Sequence, residues 1–203
     1  MILYPVGHFL FRILGAVFFR HRVLHRERLI EEGPALLVCN HASFLDPPLL
    51  GIAFRKPAHY LARKSVFVGP LAWLLPRVNA VPVDRGKGDM GSLKRVLELV
   101  KSGERVVLFP EGTRTRDGEL QTAEAGIGFL IAKSGVPVQP LRLFGTFEAF
   151  PRHAKFPRPG RVTVVVGEPI DFSDVPVGLH GRPLYDVYAA RVMAAIGALR
   201  VEG

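Results

Sequence analysis

Residues 40–48, Asn-His-Ala-Ser-Phe-Leu-Asp-Pro-Pro, are the stretch from which the fold can be worked out. They follow the apolar run Ala-Leu-Leu-Val-Cys at 35–39, which indicates a buried strand because it is short and rich in branched side chains. In α/β folds, ligands bind where polar side chains follow the carboxyl end of a strand. The stretch therefore predicts an α/β domain with a functional site at this strand end.

His41 and Asp46 are the candidate catalytic pair. Their spacing would place them roughly 140° apart on a continuous helix, and Pro47 disfavours a helical conformation for Asp46. We expect a bent segment in which the carboxylate orients the histidine ring and stabilises its protonated form. These residues alone leave an alternative open: a strand-end histidine followed by an ordinary helix start, with Asp46 as N-cap and proline in the first turn.

The composition narrows the class of protein. The 203 residues, 48% hydrophobic and 22% charged, suit one globular domain. The net charge of +9 indicates an anionic partner: nucleic acid, an acidic lipid surface or a phosphorylated small molecule. We predict no nucleic-acid partner, because the basic residues are not interleaved with aromatic ones and no nucleic-acid motif occurs. Cys39, the only cysteine, lies in the apolar run and is predicted to pack in the core.

Residues 2–19 form a strongly apolar segment that His8 and Arg12 interrupt. It is shorter than the about 20 apolar residues of a spanning helix, and four arginines follow it at positions 20–28. This order is typical of an interfacial anchor on an anionic leaflet; an ordinary helix docked on the core is the alternative. We predict a membrane-interacting helical segment at residues 1–30 and a single α/β domain at residues 31–203.

From residue 35 onward, strand-like and helix-like segments alternate. Further strands are predicted at 59–62, 78–83, 106–109, 136–143 and 161–166, and helices at 48–55, 92–102, 126–134 and 183–200. This alternation predicts a largely parallel central sheet flanked by helices. The strand at 136–143 contains two prolines, which predicts a short or edge strand. Residues 66–75 form another very apolar segment, with the only tryptophan, Trp73.

Polar residues follow three of the predicted strands: His41 with Asp46, then Arg85, then the loop Glu-Gly-Thr-Arg at 111–114. Loops at the carboxyl ends of parallel strands meet at one edge of the sheet. A base, two arginines and a glycine-containing loop at that edge suit an anionic substrate with a reactive hydroxyl. Considered alone, Arg85 could instead be a solvent-exposed residue at the end of a strand, and Arg114 could form a salt bridge within its loop.

Four stretches in order resemble the sequence blocks of the glycerolipid acyltransferases, whose best-known members are the lysophosphatidic acid acyltransferases. They are Asn-His-Ala-Ser-Phe-Leu-Asp at 40–46, Ala-Val-Pro-Val-Asp-Arg at 80–85, Phe-Pro-Glu-Gly-Thr-Arg at 109–114 and Val-Pro-Val-Gln-Pro at 136–140. The resemblance implies acyl transfer from a thioester, on acyl carrier protein or coenzyme A, to a lysophospholipid hydroxyl at a membrane surface. One departure concerns the acceptor: Glu124 stands where close relatives often carry lysine.

The predicted reaction needs no acyl-enzyme, because no serine lies in a G-x-S-x-G turn. His41 would take the proton of the acceptor hydroxyl while that oxygen attacks the thioester, and Asp46 would orient the ring. The substrate phosphate is predicted to bind the residues that end the second and third blocks. They are Arg85, Gly112, Thr113 and Arg114. Glu111 is predicted to brace its loop by pairing with an arginine.

The resemblance implies 1-acylglycerol-3-phosphate as the favoured acceptor, which would give phosphatidic acid, and the cytoplasmic face of the inner (plasma) membrane as the expected location. We expect no metal and no cofactor beyond the acyl-donor co-substrate. The alternatives are an acyltransferase for another lysolipid, a hydrolase of acyl esters and a non-catalytic lipid-binding module. A base paired with a carboxylate argues against the last, because binding alone needs no base.

Overall fold

The computed structural model describes residues 3–84 and 90–201. The strands are β1 (Arg22–Leu24), β2 (Ala35–Cys39), β3 (His59–Arg63), β4 (Ala80–Val83), β5 (Arg105–Leu108), β6 (Val138–Phe144) and β7 (Thr163–Val166). The helices are α1 (Leu3–Phe19), α2 (Asp46–Gly51), α3 (Pro70–Leu74), α4 (Met90–Lys101), α5 (Gly126–Ser134), α6 (Thr146–Ala149) and α7 (Gly181–Ala198). Short 3₁₀ turns occupy Arg26–Arg28, Lys64–Val66 and Leu75–Val78.

The strands form one seven-stranded sheet in the order β1-β7-β6-β2-β5-β3-β4. Strands β2 to β6 run parallel, while β7 pairs antiparallel with β6 and β1 pairs parallel with β7. The predicted α/β domain with a largely parallel sheet flanked by helices is therefore confirmed. The carboxyl ends of β2, β3, β4 and β5 lie at the same edge.

Strand β2 lies at the centre of the core, and all five of its residues are buried. Its side chains alternate between the two faces of the sheet, as the pleat requires. Leu37 and Cys39 pack in a cluster with residues of α1 and α2, whereas Leu36 and Val38 pack with residues of α4, α5 and α7. Full burial of a leucine is worth about 1.5–3 kcal/mol, so the apolar run is held firmly in register beneath the site.

The prediction of a short or edge strand around Pro140 was wrong. β6 has seven residues and lies inside the sheet, between β7 and β2. The carbonyl of Pro140 accepts from the N–H of Gly167 at 2.9 Å, but the β7 ladder itself begins only at Leu141. The missing proline N–H therefore falls at the end of that ladder, where Gln139 Nε2 donates to the carbonyl of Gly167 instead.

The expectation that Pro47 keeps Asp46 out of the helical region was also wrong, since α2 begins at Asp46. Pro47 and Pro48 occupy the first turn, where a missing N–H costs no helical hydrogen bond. The steric preference before proline is weak compared with the hydrogen bonds that the Asp46 carboxylate accepts from the preceding turn.

Helix α1 packs one face against α2 and exposes the other. A Cβ added at Gly15 would lie 2.7 Å from the Ile52 side chain, and His8 Nε2 lies 3.1 Å from the carbonyl oxygen of Phe54. The opposite face exposes Phe9, Leu10, Phe11, Ile13, Leu14, Val17 and Phe18. Among residues 3–84 and 90–201, no helix combines the length and apolarity needed to cross a membrane.

Candidate active site

Strands β2 and β5 are neighbours, with Val38 opposite Leu108, so the loops that follow them lie side by side. The backbone of His41 is held on both sides by the loop after β5. Its N–H donates to Glu111 Oε1 at 2.8 Å, and its carbonyl accepts from the N–H of Thr115 at 2.9 Å. These bonds fix the first and third sequence blocks against each other.

The side chains of His41 and Asp46 meet, as the sequence predicts. His41 Nδ1 lies 2.8 Å from Asp46 Oδ2, which also accepts from the N–H groups of Ala42 at 2.6 Å and Ser43 at 2.7 Å. Asp46 is completely buried. Because an ionised carboxylate can only accept, Nδ1 carries the proton and donates. In the neutral ring, the lone pair then lies on Nε2.

The imidazole of His41 is also fixed by packing. It stacks on Phe109 with ring centroids 4.1 Å apart and an interplanar angle of 21°. The side chain remains 12% exposed, so part of the ring is accessible to a ligand. The arrangement can remove a proton from a group held at Nε2; the catalytic role of the pair stays a prediction.

Glu111 braces the site, but through different partners from those predicted. Its Oε1 binds the N–H of His41 and its Oε2 accepts from the N–H of Gln121 at 3.2 Å; no arginine among the described residues pairs with it. Burial raises the pKa of Glu111, and the two backbone hydrogen bonds act in the opposite direction. The carboxylate thus connects the loop after β2 to the loop after β5 through backbone N–H groups, a role different from the predicted pairing with an arginine.

Arg114 lies over the ring of Phe44, with Cζ 3.3 Å from the ring centroid. Its Nη1 is buried and has no hydrogen-bond partner among the described residues. Burial lowers the pKa of Arg114, the positive charge of Arg152 lowers it further, and Asp46 acts in the opposite direction. The guanidinium therefore interacts electrostatically with Asp46, and it has donor capacity that no described residue uses.

Arg152 borders this site and was missed in the sequence. Ser43 Oγ donates to the carbonyl of Phe150 at 2.8 Å, and the rings of Phe44 and Phe150 lie 6.1 Å apart. This contact brings the segment that carries Arg152 against the first block, across more than a hundred residues of sequence. A signal existed, since basic residues recur at 152, 155 and 158 after a strand whose carboxyl end faces the site.

Gly112 allows the backbone conformation of its own loop. Its φ is +66°, a region that glycine adopts without strain, and a Cβ there would lie 2.7 Å from Cγ of Glu124. Glu124 therefore fills the space on the Cβ side of Gly112; the binding of the substrate phosphate at Gly112 stays a prediction. Thr113 is exposed at the rim.

Arg85 lies outside the described residues, so the structure gives no account of its predicted role. The preceding residue, Asp84, pairs with Lys64 at the end of β3. Cys39 is fully buried, and burial raises the pKa of its thiol well above the usual range. It is therefore an inert packing residue, as predicted.

Comparison with known proteins shows similarity to acyltransferases. The sequence model of the family described as Acyltransferase matches residues 7–143. The chain is 36% identical over 148 residues to a chloroplastic 1-acyl-sn-glycerol-3-phosphate acyltransferase of Arabidopsis thaliana, covering 71% of this chain and 41% of that protein. It is 35% identical over 112 residues to a lyso-ornithine lipid O-acyltransferase of Pseudomonas aeruginosa. This match covers 54% of this chain and 43% of that protein. The chain thus spans under half the length of these two relatives.

The fold has a solved counterpart. The crystal structure of a 1-acyl-sn-glycerophosphate acyltransferase from Thermotoga maritima superposes with a TM-score of 0.74, covering 98% of this chain and 81% of that chain. The sequences are 23% identical, so the likeness supports the fold.

Proposed function

This chain belongs to the acyltransferase family, and on that premise we propose that it transfers an acyl chain from a thioester to the free hydroxyl of a lysophospholipid. The acceptor we favour is 1-acylglycerol-3-phosphate, which becomes phosphatidic acid. The donor is acyl-acyl carrier protein or acyl-coenzyme A. One observation carries the proposal: His41 Nδ1 is held by a buried carboxylate, which leaves Nε2 to act as a base.

In the proposed reaction, the acceptor oxygen attacks the thioester carbonyl carbon while His41 Nε2 takes the hydroxyl proton. The new C–O ester bond forms and the C–S bond breaks. The departing thiolate takes the proton back from the imidazolium, so the enzyme returns to its starting state. Every proton is carried by a side chain of this protein, and we propose no metal and no cofactor beyond the thioester.

Asp46 orients His41 and stabilises the imidazolium in this scheme. It can do so because two backbone N–H groups and α2 hold its carboxylate in place. Hydrogen bonds to a charged group are worth about 1.5–3 kcal/mol each, so the position of the carboxylate is fixed before any substrate binds.

The acceptor phosphate is proposed to bind at Arg114. Its guanidinium is stacked on Phe44 and its buried Nη1 has no partner within the described residues, so a phosphate oxygen would satisfy it. Thr113 at the rim and Arg152 on the neighbouring loop add a hydroxyl and a second positive charge. Arg85 remains part of the proposal on the sequence resemblance alone.

A different lysolipid acceptor is the second candidate. The carboxylate of Glu124 lies against Gly112 in the loop that holds Arg114, and a carboxylate there would favour an acceptor that also carries an amine. One relative is named a lyso-ornithine lipid O-acyltransferase. Acceptors with and without an amine must therefore be compared directly.

The proposed place of action is the cytoplasmic face of the inner membrane, with α1 lying in the interface. The exposed apolar face of α1 and the arginines that follow it support this placement. The docking of α1 on α2 leaves that face available to lipid and holds the site close to it.

The test is product identification. Purified protein is incubated with labelled acyl-coenzyme A or acyl-acyl carrier protein and a panel of lysolipids, with His41→Ala as the control. We expect a diacyl product of the correct mass from 1-acylglycerol-3-phosphate. Release of free fatty acid in place of diacyl lipid would identify a hydrolase, and a product from the amine-bearing lysolipid alone would identify the second candidate.

A further inference from the structure

The segment between β3 and β4 buries none of its residues from Arg63 to Asn79. It is nevertheless one of the most apolar parts of the chain, and it contains α3. Four of its large apolar side chains are exposed, from 37% at Leu74 to 62% at Val68; the other two are Leu71 and Trp73. Single exposed apolar residues are ordinary, but a contiguous exposed patch marks a contact surface.

This segment adjoins α1. The 3₁₀ turn Leu75–Val78, which follows α3, contacts α1 directly. The exposed apolar side chains of α1 and of residues 68–74 are therefore on neighbouring elements, and we call them together the apolar surface. Strand β3 leads into the segment at the same sheet edge as His41, so the surface adjoins the site.

The chemistry around Trp73 fits a lipid surface. The guanidinium of Arg77 lies 4.2 Å from the centroid of the indole ring, and Arg63 is exposed where β3 ends. Indole rings favour the boundary between headgroups and acyl chains, and arginines beside them can bind lipid phosphates. A basic rim around an apolar centre, on a chain with a net charge of +9, complements an anionic bilayer.

We propose that residues 64–78 form a second membrane-contact element, which docks on anionic lipid beside α1 and places Trp73 at the level of the headgroups. The inference rests on the proposed function in one respect: if that function is correct, the acceptor is a lipid in the membrane. Docking itself can be measured without turnover. Two contact elements would fix the orientation of the protein on the membrane. With only one helix in the interface, the protein could rotate about the axis of that helix.

The chain carries its own probe, because Trp73 is the only tryptophan. Full-length protein is titrated with vesicles of phosphatidylcholine and phosphatidylglycerol, with and without brominated acyl chains. We expect a blue shift of the Trp73 emission and quenching by the brominated lipid. The control is the double variant Trp73→Phe/Val177→Trp, since Val177 is 95% exposed and outside the apolar surface; its emission should not respond.

Sedimentation with the same vesicles measures the contribution to binding. Leu71→Ser with Trp73→Ser should weaken partition roughly tenfold or more, from the loss of two apolar side chains at the interface. Val177→Ser should leave it unchanged.

Vesicle binding with an unshifted and unquenched Trp73 would show that α1 docks alone, and would overturn the proposal. A blue shift that grows with protein concentration before lipid is added would identify a second copy as the occupant, and would also overturn it. If Trp73 responds to vesicles while no lysolipid is acylated, the surface stands and the proposed function fails.

Discussion

The turn around Asp46 and the outer face of α1 differ in what their side chains contact. At Asp46, one buried carboxylate oxygen collects three donors from the same short stretch. On α1, Val17 is 78% exposed in the described structure. Hydrogen bonds within the chain thus fix the geometry around Asp46, whereas the outer face of α1 is exposed in the described part of the chain. Changes at the first place should affect turnover, and changes at the second should affect access to lipid.

The largest effect is expected for His41→Ala. Loss of a positioned general base should lower kcat roughly 10²–10⁴-fold, with little change in vesicle binding. Circular dichroism should show an intact fold, because the ring is packed at the edge of the core and not within it. Near-normal turnover by a folded His41→Ala protein would disprove the assignment of the base.

Asp46→Asn should come close to that effect, roughly 10²-fold or more in kcat. The amide keeps the shape but replaces a carboxylate that accepts from His41, Ala42 and Ser43. The thermal midpoint should also fall, since the neutral amide oxygen accepts these bonds more weakly than a carboxylate does, and the amide NH₂ would lie at the buried Oδ1 position, which has no partner among the described residues. A variant that loses stability but keeps its kcat would make Asp46 a structural residue only.

Arg114→Ala should lower kcat/KM for 1-acylglycerol-3-phosphate about ten- to a hundredfold, from the loss of a charge-assisted hydrogen bond worth about 1.5–3 kcal/mol. An acceptor that lacks the phosphate should be affected much less. Arg152→Ala should act in the same direction with a smaller effect, because this side chain is exposed. Arg158→Ala, in the same loop, is the matched control.

Equal losses with both kinds of acceptor would make Arg114 structural and would move the phosphate site elsewhere. Arg114→Lys should restore only part of the activity, because an ammonium group cannot reproduce the planar fork or its stacking on Phe44.

On the exposed face of α1, Phe9→Ser with Val17→Ser should reduce partition onto anionic vesicles roughly tenfold. Turnover of a soluble short-chain acceptor should stay normal. These substitutions are preferable to deleting the helix, because Phe19 at its end is buried in the core. Unchanged partition would show that α1 is an ordinary docked helix.

The smallest effect concerns the turn after α1. Burial lowers the pKa of His21 to about 4 from its usual 6.5, and nearby Arg26 and Arg12 add to the shift. The folded protein therefore binds fewer protons than the unfolded chain between these values, so stability falls as the pH drops from about 6.5 towards 4. The thermal midpoint should fall by roughly 2–4 °C for each kcal/mol lost. His21→Gln should flatten this dependence; an unchanged slope would assign it to other groups.

Local patterns were sufficient to predict β2, the loop around His41 and the loop that holds Arg114. A short apolar run followed by polar residues has one physical solution in an α/β fold, at the edge of the sheet. Sequence patterns failed to predict features that depend on contacts between residues far apart in the chain. Pro140 is tolerated inside the sheet because of where the β7 ladder begins, and Arg152 reaches the site through the Ser43–Phe150 hydrogen bond. Both outcomes depend on contacts between residues that are far apart in the sequence; for Arg152, the recurring basic residues at 152, 155 and 158 were the only signal.

The central claim is direct acyl transfer with His41 as the base. The measurement mixes protein with a labelled acyl thioester, first alone and then with 1-acylglycerol-3-phosphate, and follows both the mass of the intact protein and the lipid product. The account predicts an unchanged protein mass without acceptor, labelled phosphatidic acid once the acceptor is added, and almost none with His41→Ala. A protein that gains the mass of the acyl group, or a His41→Ala variant that forms product at the wild-type rate, would contradict it.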